Sequence, residues 1–345
     1  MDNLDKYFPH QINSGWLLTG YTLNRLKEKI ERETIILPIC SLGTPVEELA
    51  ALGSLVLPPL YHEALNDSLK ERLIARIRQC FPYLPGSKAA SMCRATLKVV
   101  ELEKRKLPST LSCPIIAFSV DTAVEEHGPH LPLMTDTIQS YGVLAELKNC
   151  FPEIALAPPV EYGHLTWGLP FGLSIDITPE MTSEYVRRYL DALAKWCNPK
   201  AIYVVDVHGS IVHRNAIQAG MMRSTCRPMA FRWLHEPLVQ FAGERGDQHA
   251  GGVETALIEH FNRGMLDPDW WPVRKSELAR HQMELADAVA LSTDLTDFVK
   301  QVEAHGSNGI VGDIDNYDRV NATEMLDRII AVASNDIRSL QEQLQ

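Results

Sequence analysis

A run of apolar residues, Pro114-Ile115-Ile116-Ala117-Phe118-Ser119-Val120, leads almost directly into Glu125-Glu126-His127-Gly128-Pro129-His130-Leu131-Pro132-Leu133-Met134-Thr135-Asp136. The first stretch reads as a buried strand. The second sets Glu125, Glu126, His127, His130 and Asp136 at that strand's exit. Any fold that buries the strand brings these groups to its carboxyl end. Glu125 and His127 are two apart, so in an extended chain they point to one side. The Gly128-Pro129 turn can bring Asp136 back toward them. A carboxylate, an imidazole and a second carboxylate converging there suit Zn²⁺ or Mn²⁺. Each residue also has an ordinary alternative. Asp136 or Thr135 would cap a helix running through Ile138, Tyr141, Leu144 and Leu147, the glutamates would be solvated, and a lone histidine would be a hydrogen-bonded structural group.

Two further segments tip the balance toward a site. Ala201-Ile202-Tyr203-Val204-Val205-Asp206-Val207 is a second apolar, β-branched run, and it ends in His208-Gly209-Ser210. The carboxyl ends of strands are where an α/β sheet presents chemistry. Gln248-His249-Ala250-Gly251-Gly252-Val253-Glu254-Thr255 precedes a helical pattern through Val253, Leu257, Ile258 and Phe261. Glu254 therefore falls in a first helical turn. There it either complements the helix dipole or points into a cleft.

These segments resemble the creatininase (creatinine amidohydrolase) family. Its first motif, Glu-x-His-Gly-x-His-Leu-Pro-x-x-Thr-Asp, is matched at every fixed position by Glu125 to Asp136. Its His-Gly pair is matched by His208-Gly209, and its His-Ala-Gly-x-x-Glu-Thr by His249 to Thr255. A weaker late Gly-x-x-Gly-Asp signal is matched by Gly309 to Asp313. The likeness spans residues 112–340. It implies two divalent metal ions, Zn or Mn. Glu125 and His208 would hold one, His127 and Glu254 the other, and Asp136 would bridge both. A hydroxide held between the metals would attack the substrate, and His249 would carry the proton. It also implies a homo-oligomer, commonly a hexamer, and a site lined by the Tyr162 stretch; His130 and Ser210 are expected to bind substrate too, and His164 either does so or is an exposed loop histidine.

The chain departs from the family where substrate would be read. Asp206-Val207-His208-Gly209-Ser210-Ile211 stands for the usual Asn-Gly-His-Gly-Gly-Asn, with Asn215 as a distant stand-in for the last Asn. Ser210 occupies the place of a glutamate found in creatininase itself, which argues against creatinine. Thr122-Ala123 replaces the usual Gly-Ser. The expected function is a metal-dependent hydrolase that opens a small polar ring or cleaves an amide-like C–N bond. Hydrolytic C–C opening of a cyclic polyhydroxy ketone of the inosose type is the alternative. A non-catalytic binding protein on the same scaffold is a third.

Strands alternating with helices predict an α/β fold, a largely parallel sheet flanked by helices, over residues 111–345. Residues 1–110 are expected to form an N-terminal α/β extension. Thr34–Cys40 and Leu55–Leu60 read as strands and Asp67–Gln79 as an amphipathic helix. The Leu-Pro-Pro of the extension faintly echoes Ala157-Pro158-Pro159, but matches this short favour coincidence over a repeat. A net charge of −11 excludes nucleic acid and anionic membranes as partners and leaves a small-molecule substrate. Seven cysteines without a paired spacing predict reduced thiols and a cytoplasmic setting. No apolar run predicts a signal peptide or a membrane span. Trp270-Trp271 reads as a lid over a cleft or as interface packing.

Overall fold

The computed structural model describes residues 20–345, except 23–24, 27–29, 31–32, 43, 54, 81–82, 85–90, 93–95, 106–113, 166–167, 248, 292–303 and 305–306. Its larger sheet comprises β4 (Ile115–Ser119), β5 (Ile154–Leu156), β6 (Ala201–Asp206) and β7 (Met229–Trp233). The order is β5-β4-β6-β7, all parallel. Every residue of β4 and β6 is buried, without alternation. That pattern belongs to a parallel sheet covered on both faces. The covering helices include α3 (Thr135–Cys150), α4 (Pro179–Cys197), α5 (Ile211–Arg223), α6 (Gly252–Asn262) and α7 (Ala322–Glu342). α4 begins where its sequence says it should. The Thr178 side chain accepts from Met181 N, Pro179 fills the first turn, and the helix ends on Asn198 in a left-handed conformation.

The smaller sheet comprises β1 (Thr34–Cys40), β2 (Leu60–Tyr61) and β3 (Thr96–Glu101), in the parallel order β2-β1-β3. The helices α1 (Val46–Ala50) and α2 (Asp67–Cys80) accompany it. The strand expected over Leu55–Leu60 is cut short. Only Val56 bridges Ile36 before β2, because Pro58 and Pro59 have no N–H to give a ladder.

The two sheets share one register. In the small sheet Leu57 N donates to Ile36 O at 2.8 Å, and Leu60 pairs with Ile39. In the large sheet Ala157 N donates to Ala117 O at 2.9 Å, and Val160 bridges Val120. On the other flank, Thr34 pairs with Thr96 as Ile115 pairs with Ala201. The two Pro-Pro pairs thus occupy equivalent places. The echo that sequence alone assigns to coincidence is a repeat of architecture.

The extension is packed onto the core. One hydrophobic cluster runs from Leu26, Ile35 and Leu69 to Phe118, Tyr189 and Ile202. The rings of Tyr61 and Tyr189 lie 5.7 Å apart, and Tyr61 N donates to the Tyr185 hydroxyl at 3.1 Å. The expected boundary near 110 falls within 106–113, outside the described residues. Among the described cysteines, Cys40, Cys80, Cys150 and Cys226 are free thiols. Among the described residues no helix is long and apolar enough to cross a membrane.

Candidate metal centre

Four elements deliver the side chains. Glu125 and His127 lie in the loop beyond β4, and His208 follows β6 with only Val207 between. Asp136 and Glu254 occupy the first turns of α3 and α6. Asp136 is not a cap: Met134 holds the N-cap position, with no side-chain bond, so the carboxylate is left for the site. All five side chains are buried.

Asp136 stands between the two histidines. Its Oδ1 is 3.3 Å from His127 Nε2, and its Oδ2 is 3.5 Å from His208 Nδ1. Glu125 Oε2 lies 3.1 Å from His208 Nδ1, and Glu254 Oε2 lies 3.9 Å from His127 Nε2. The His127 tautomer is set by its other nitrogen. Nδ1 donates to Glu125 O at 3.0 Å, so Nε2 turns its lone pair toward the carboxylates. His127 Nε2 and Glu125 Oε1 are buried with no hydrogen-bond partner. Lone pairs facing lone pairs in a dry interior call for a cation.

The proton affinities carry the same message. Burial alone would strip the proton from His127, but its contact with Asp136 outweighs burial and holds its pKa at about 10. His208 is likewise raised: burial opposes its charge, and Glu125 and Asp136 overcome that. Asp136 is held well below its ordinary value by the two histidines, against the effect of burial. Burial raises Glu254 to about 7. Without metal the cluster gathers protons where divalent ions would sit, so the donor set fits two such ions.

His249 faces the same centre. Its Nε2 donates to Glu126 O at 2.8 Å, so the lone pair is on Nδ1, which lies 3.7 Å from Glu125 Oε1. His127, His249 and Glu254 can also be grouped as one ligand set, as can Glu125, His127 and Asp136. The late glycine segment clamps this loop. His249 and Val311 exchange backbone hydrogen bonds of 3.0 and 2.9 Å, and Gly252 N donates to Asp313 O. Gly312 has φ +145°, and a Cβ there would lie 2.7 Å from Asp247 Cα, so only glycine fits. Ala250, at φ 54°, turns its N–H onto Glu254 Oε2 at 2.6 Å.

Two contributors escape a reading by motif. The Thr122 hydroxyl bonds Glu125 Oε2 and lies 2.7 Å from Asp136 Oδ2, one proton between two carboxylates. Gln139 donates to Glu254 Oε1 at 3.2 Å and accepts from His235 Nε2 at 2.8 Å. The available signal is spacing. Gln139 lies one helical turn after Asp136, hence on the same face.

The four residues expected to line the substrate each have a partner within the chain. The Tyr162 hydroxyl donates to Pro58 O at 2.7 Å and ties the extension to the core. His130 Nε2 donates to Thr255 Oγ1 at 2.8 Å, and its ring lies 5.7 Å from that of Trp271. His164 Nδ1 is 2.9 Å from Asp176 Oδ1. Ser210 caps α5, accepting from His213 N. Each found a partner within the chain, which a motif cannot show. Asn215 is exposed on α5. Trp271 is buried and packs at 4.7 Å on Tyr317, part of a core rather than a lid.

Comparison with known proteins identifies the family. The family model for creatininase, creatinine amidohydrolase, matches residues 115–337. A mycofactocin precursor peptide peptidase of Mycobacterium ulcerans (strain Agy99) is 28% identical over 165 residues, covering 46% of this chain and 61% of that protein. Its counterpart in Mycobacterium tuberculosis (strain H37Rv) is 27% identical over 175 residues, covering 48% and 65%. The match thus spans less than two thirds of these curated relatives' length. A crystal structure from Bacteroides fragilis NCTC 9343, carrying the name creatinine amidohydrolase, aligns with TM-score 0.50 and 16% identity. It covers 68% of this chain and 91% of its own, and it supports the fold. With the family model matched across both strands, both helix starts and every segment that supplies the buried cluster, the chain belongs to the creatininase family.

Proposed function

We propose that this hydrolase binds two divalent metal ions and cleaves an amide C–N bond, with peptides as its substrate class. The observation that carries the reading is Asp136, whose two oxygens face two different imidazoles across a buried centre. Glu125, His208 and Asp136 would hold one ion, and His127, Glu254 and Asp136 the other. The ions would activate a shared water near neutral pH and polarise the scissile carbonyl. Ser210, already used as a helix cap, offers nothing in place of creatininase's glutamate, which turns the reading away from creatinine. The peptide class is supported by the mycobacterial relatives, which are named as peptidases.

His249 is the proton carrier in this reading. In the neutral ring the Nε2 proton is held by the Glu126 carbonyl, which leaves Nδ1 to accept. A neutral imidazole there takes the proton released as water attacks and returns it to the departing nitrogen. The carbonyl of Glu126 fixes the tautomer that makes this possible. Thr122 and Gln139 hold the carboxylates in place.

The test is to strip the protein with chelator and reload it with Zn²⁺ or Mn²⁺. It is then offered short peptides, creatinine and an inosose-type ketone. Peptide hydrolysis, restored by about two metal equivalents per chain, is the expected result. A fully loaded protein that opens the ketone and leaves every peptide intact would replace this reading with C–C hydrolysis.

A further inference from the structure

Arg214, on α5, has a setting that neither the metal centre nor the fold uses. Its guanidinium lies 4.0 Å from the centroid of the Trp233 ring, and Nη1 donates to Gly209 O at 3.3 Å. Gly209 directly follows His208. It is exposed, and a Cβ built on it would meet nothing within 4 Å, so the space outside His208 is open. Gly209 and Trp233 also line a small cavity, of about 10 Å³, with His235, Asp247 and Val253, the last adjoining Glu254. Arg214 therefore sits beside the segment that carries the candidate ligand His208.

Its charge is unanswered. Arg76 pairs with Asp176, Arg232 with Asp336 and Arg25 with Asp267. Among the described residues no carboxylate lies within ion-pair distance of Arg214. Asp206 and Glu236 act on it only through space. A guanidinium has five N–H donors in a rigid plane, and here the backbone contact takes up Nη1. Stacking on Trp233 fixes that plane before any ligand arrives, which suits two-point recognition of a carboxylate. In a chain of net charge −11, a half-buried arginine without an acidic partner, beside the exposed Gly209, marks where an anion is wanted.

We propose that Arg214 anchors a carboxylate of the substrate, so that the amide cleaved belongs to a molecule carrying a free carboxylate near the scissile bond. The proposal rests on the amide-cleavage reading above and specifies its substrate class. That carboxylate is either a peptide's C-terminus or an acidic side chain, and the test separates them.

Metal-loaded protein is titrated by calorimetry with two pairs of probes. One pair is N-acetyl-Gly-Leu and its C-terminal amide. The other is N-acetyl-Gly-Glu-amide and N-acetyl-Gly-Gln-amide. At least one acid should bind about tenfold tighter than its neutral twin, the scale of a charge-assisted pair. Arg214→Gln should erase the difference, Arg214→Lys should keep part of it, and both should retain their metal. For any peptide that is hydrolysed, the loss should fall on KM with kcat little changed. A preference that survives Arg214→Gln would mean that the metals alone hold the acid and Arg214 merely covers Trp233. Acids and amides binding alike, or not at all, would also overturn the proposal. Peptides hydrolysed without any acid preference would sink the anchor and leave the hydrolase reading standing. Preferred acid binding with no peptide cleaved would do the reverse.

Discussion

At the carboxyl end of β1 most polar groups answer one another, Thr44 Oγ1 being left over. Leu42 N donates to Glu63 Oε2 at 3.0 Å, Arg105 N donates to Ser41 Oγ at 2.9 Å, and Arg105 pairs with Glu48. His62 donates to Leu102 O at 2.8 Å, and burial pushes the Cys40 thiol up to about 12. At the equivalent end of β4, Glu125, His127, Asp136, His208 and Glu254 turn lone pairs toward a common centre, and two of those atoms have no hydrogen-bond partner. The scaffolds share a register, yet one end is closed by internal pairing and the other is left open to cations. Polar residues at a strand end are therefore not enough to make a site. What matters is that they fail to satisfy one another.

Asp136→Ala should break the contrast most completely. It removes the group that faces both histidines, so metal content should fall from about two equivalents to near zero and activity by at least about a thousandfold. Elemental analysis of the folded variant decides: one ion kept at full occupancy would contradict the bridging role. His249→Ala should keep both ions and lose about 100- to 10,000-fold in turnover. Loss of metal instead would make His249 a ligand.

Gln139→Leu sharpens the comparison by leaving Glu254 Oε1 without its donor. Metal affinity at the His127–Glu254 position should weaken by about 10- to 100-fold, the usual effect of removing a group that orients a ligand. A chelator competition that finds both ions held as in the parent would show the Gln139 contact to be incidental.

Glu161 lies beside the joint between the two sheets, its carboxyl raised by burial, then by Asp121, from 4.5 to about 8. The folded chain thus keeps a proton there that the unfolded chain has released. Stability should be full below pH 4.5 and decline as pH rises toward 8. Glu161→Gln should flatten that decline by about 1–3 kcal/mol in denaturant titrations at pH 5 and pH 8. An unchanged slope would show that the carboxyl ionises without cost.

The smallest effect belongs to the closed end. Glu63→Ala removes the acceptor for Leu42 N and should cost about 1 kcal/mol of stability. Metal content and turnover per folded molecule should stay as they are. A drop in bound metal would mean that the small sheet reaches the centre after all.

Much of this was legible in the sequence, and the rest was not, for reasons that particular residues show. β4, β6, α4 and the start of α6 follow from uninterrupted apolar runs and from the Thr178-Pro179 and Gly251-Gly252 signals, all of which act within a few residues. β7 lacks that clarity, since Met229–Trp233 is half-buried at every position. The partners of Tyr162, His130, His164 and Ser210 within the chain were not legible, because a motif names a residue type without naming its partner. Pro58 O, Thr255, Asp176 and His213 N, which took them up, are distant in sequence except for the last. Thr122 and Gln139 were passed over because a hydroxyl and an amide carry no ligand signature of their own.

Local patterning alone determined that this chain would be a parallel α/β protein with Glu125, His127, Asp136, His208 and Glu254 at strand ends and helix starts. Those features depend on backbone periodicity and on charges placed within one turn or one strand. Only the tertiary structure decided which polar groups would be consumed by each other and which left unsatisfied. Hydrogen-bond satisfaction is settled between segments brought together by folding. That is why the small sheet closed on itself, the large one kept its lone pairs, and Arg214 came to rest on Trp233 with its charge unmet.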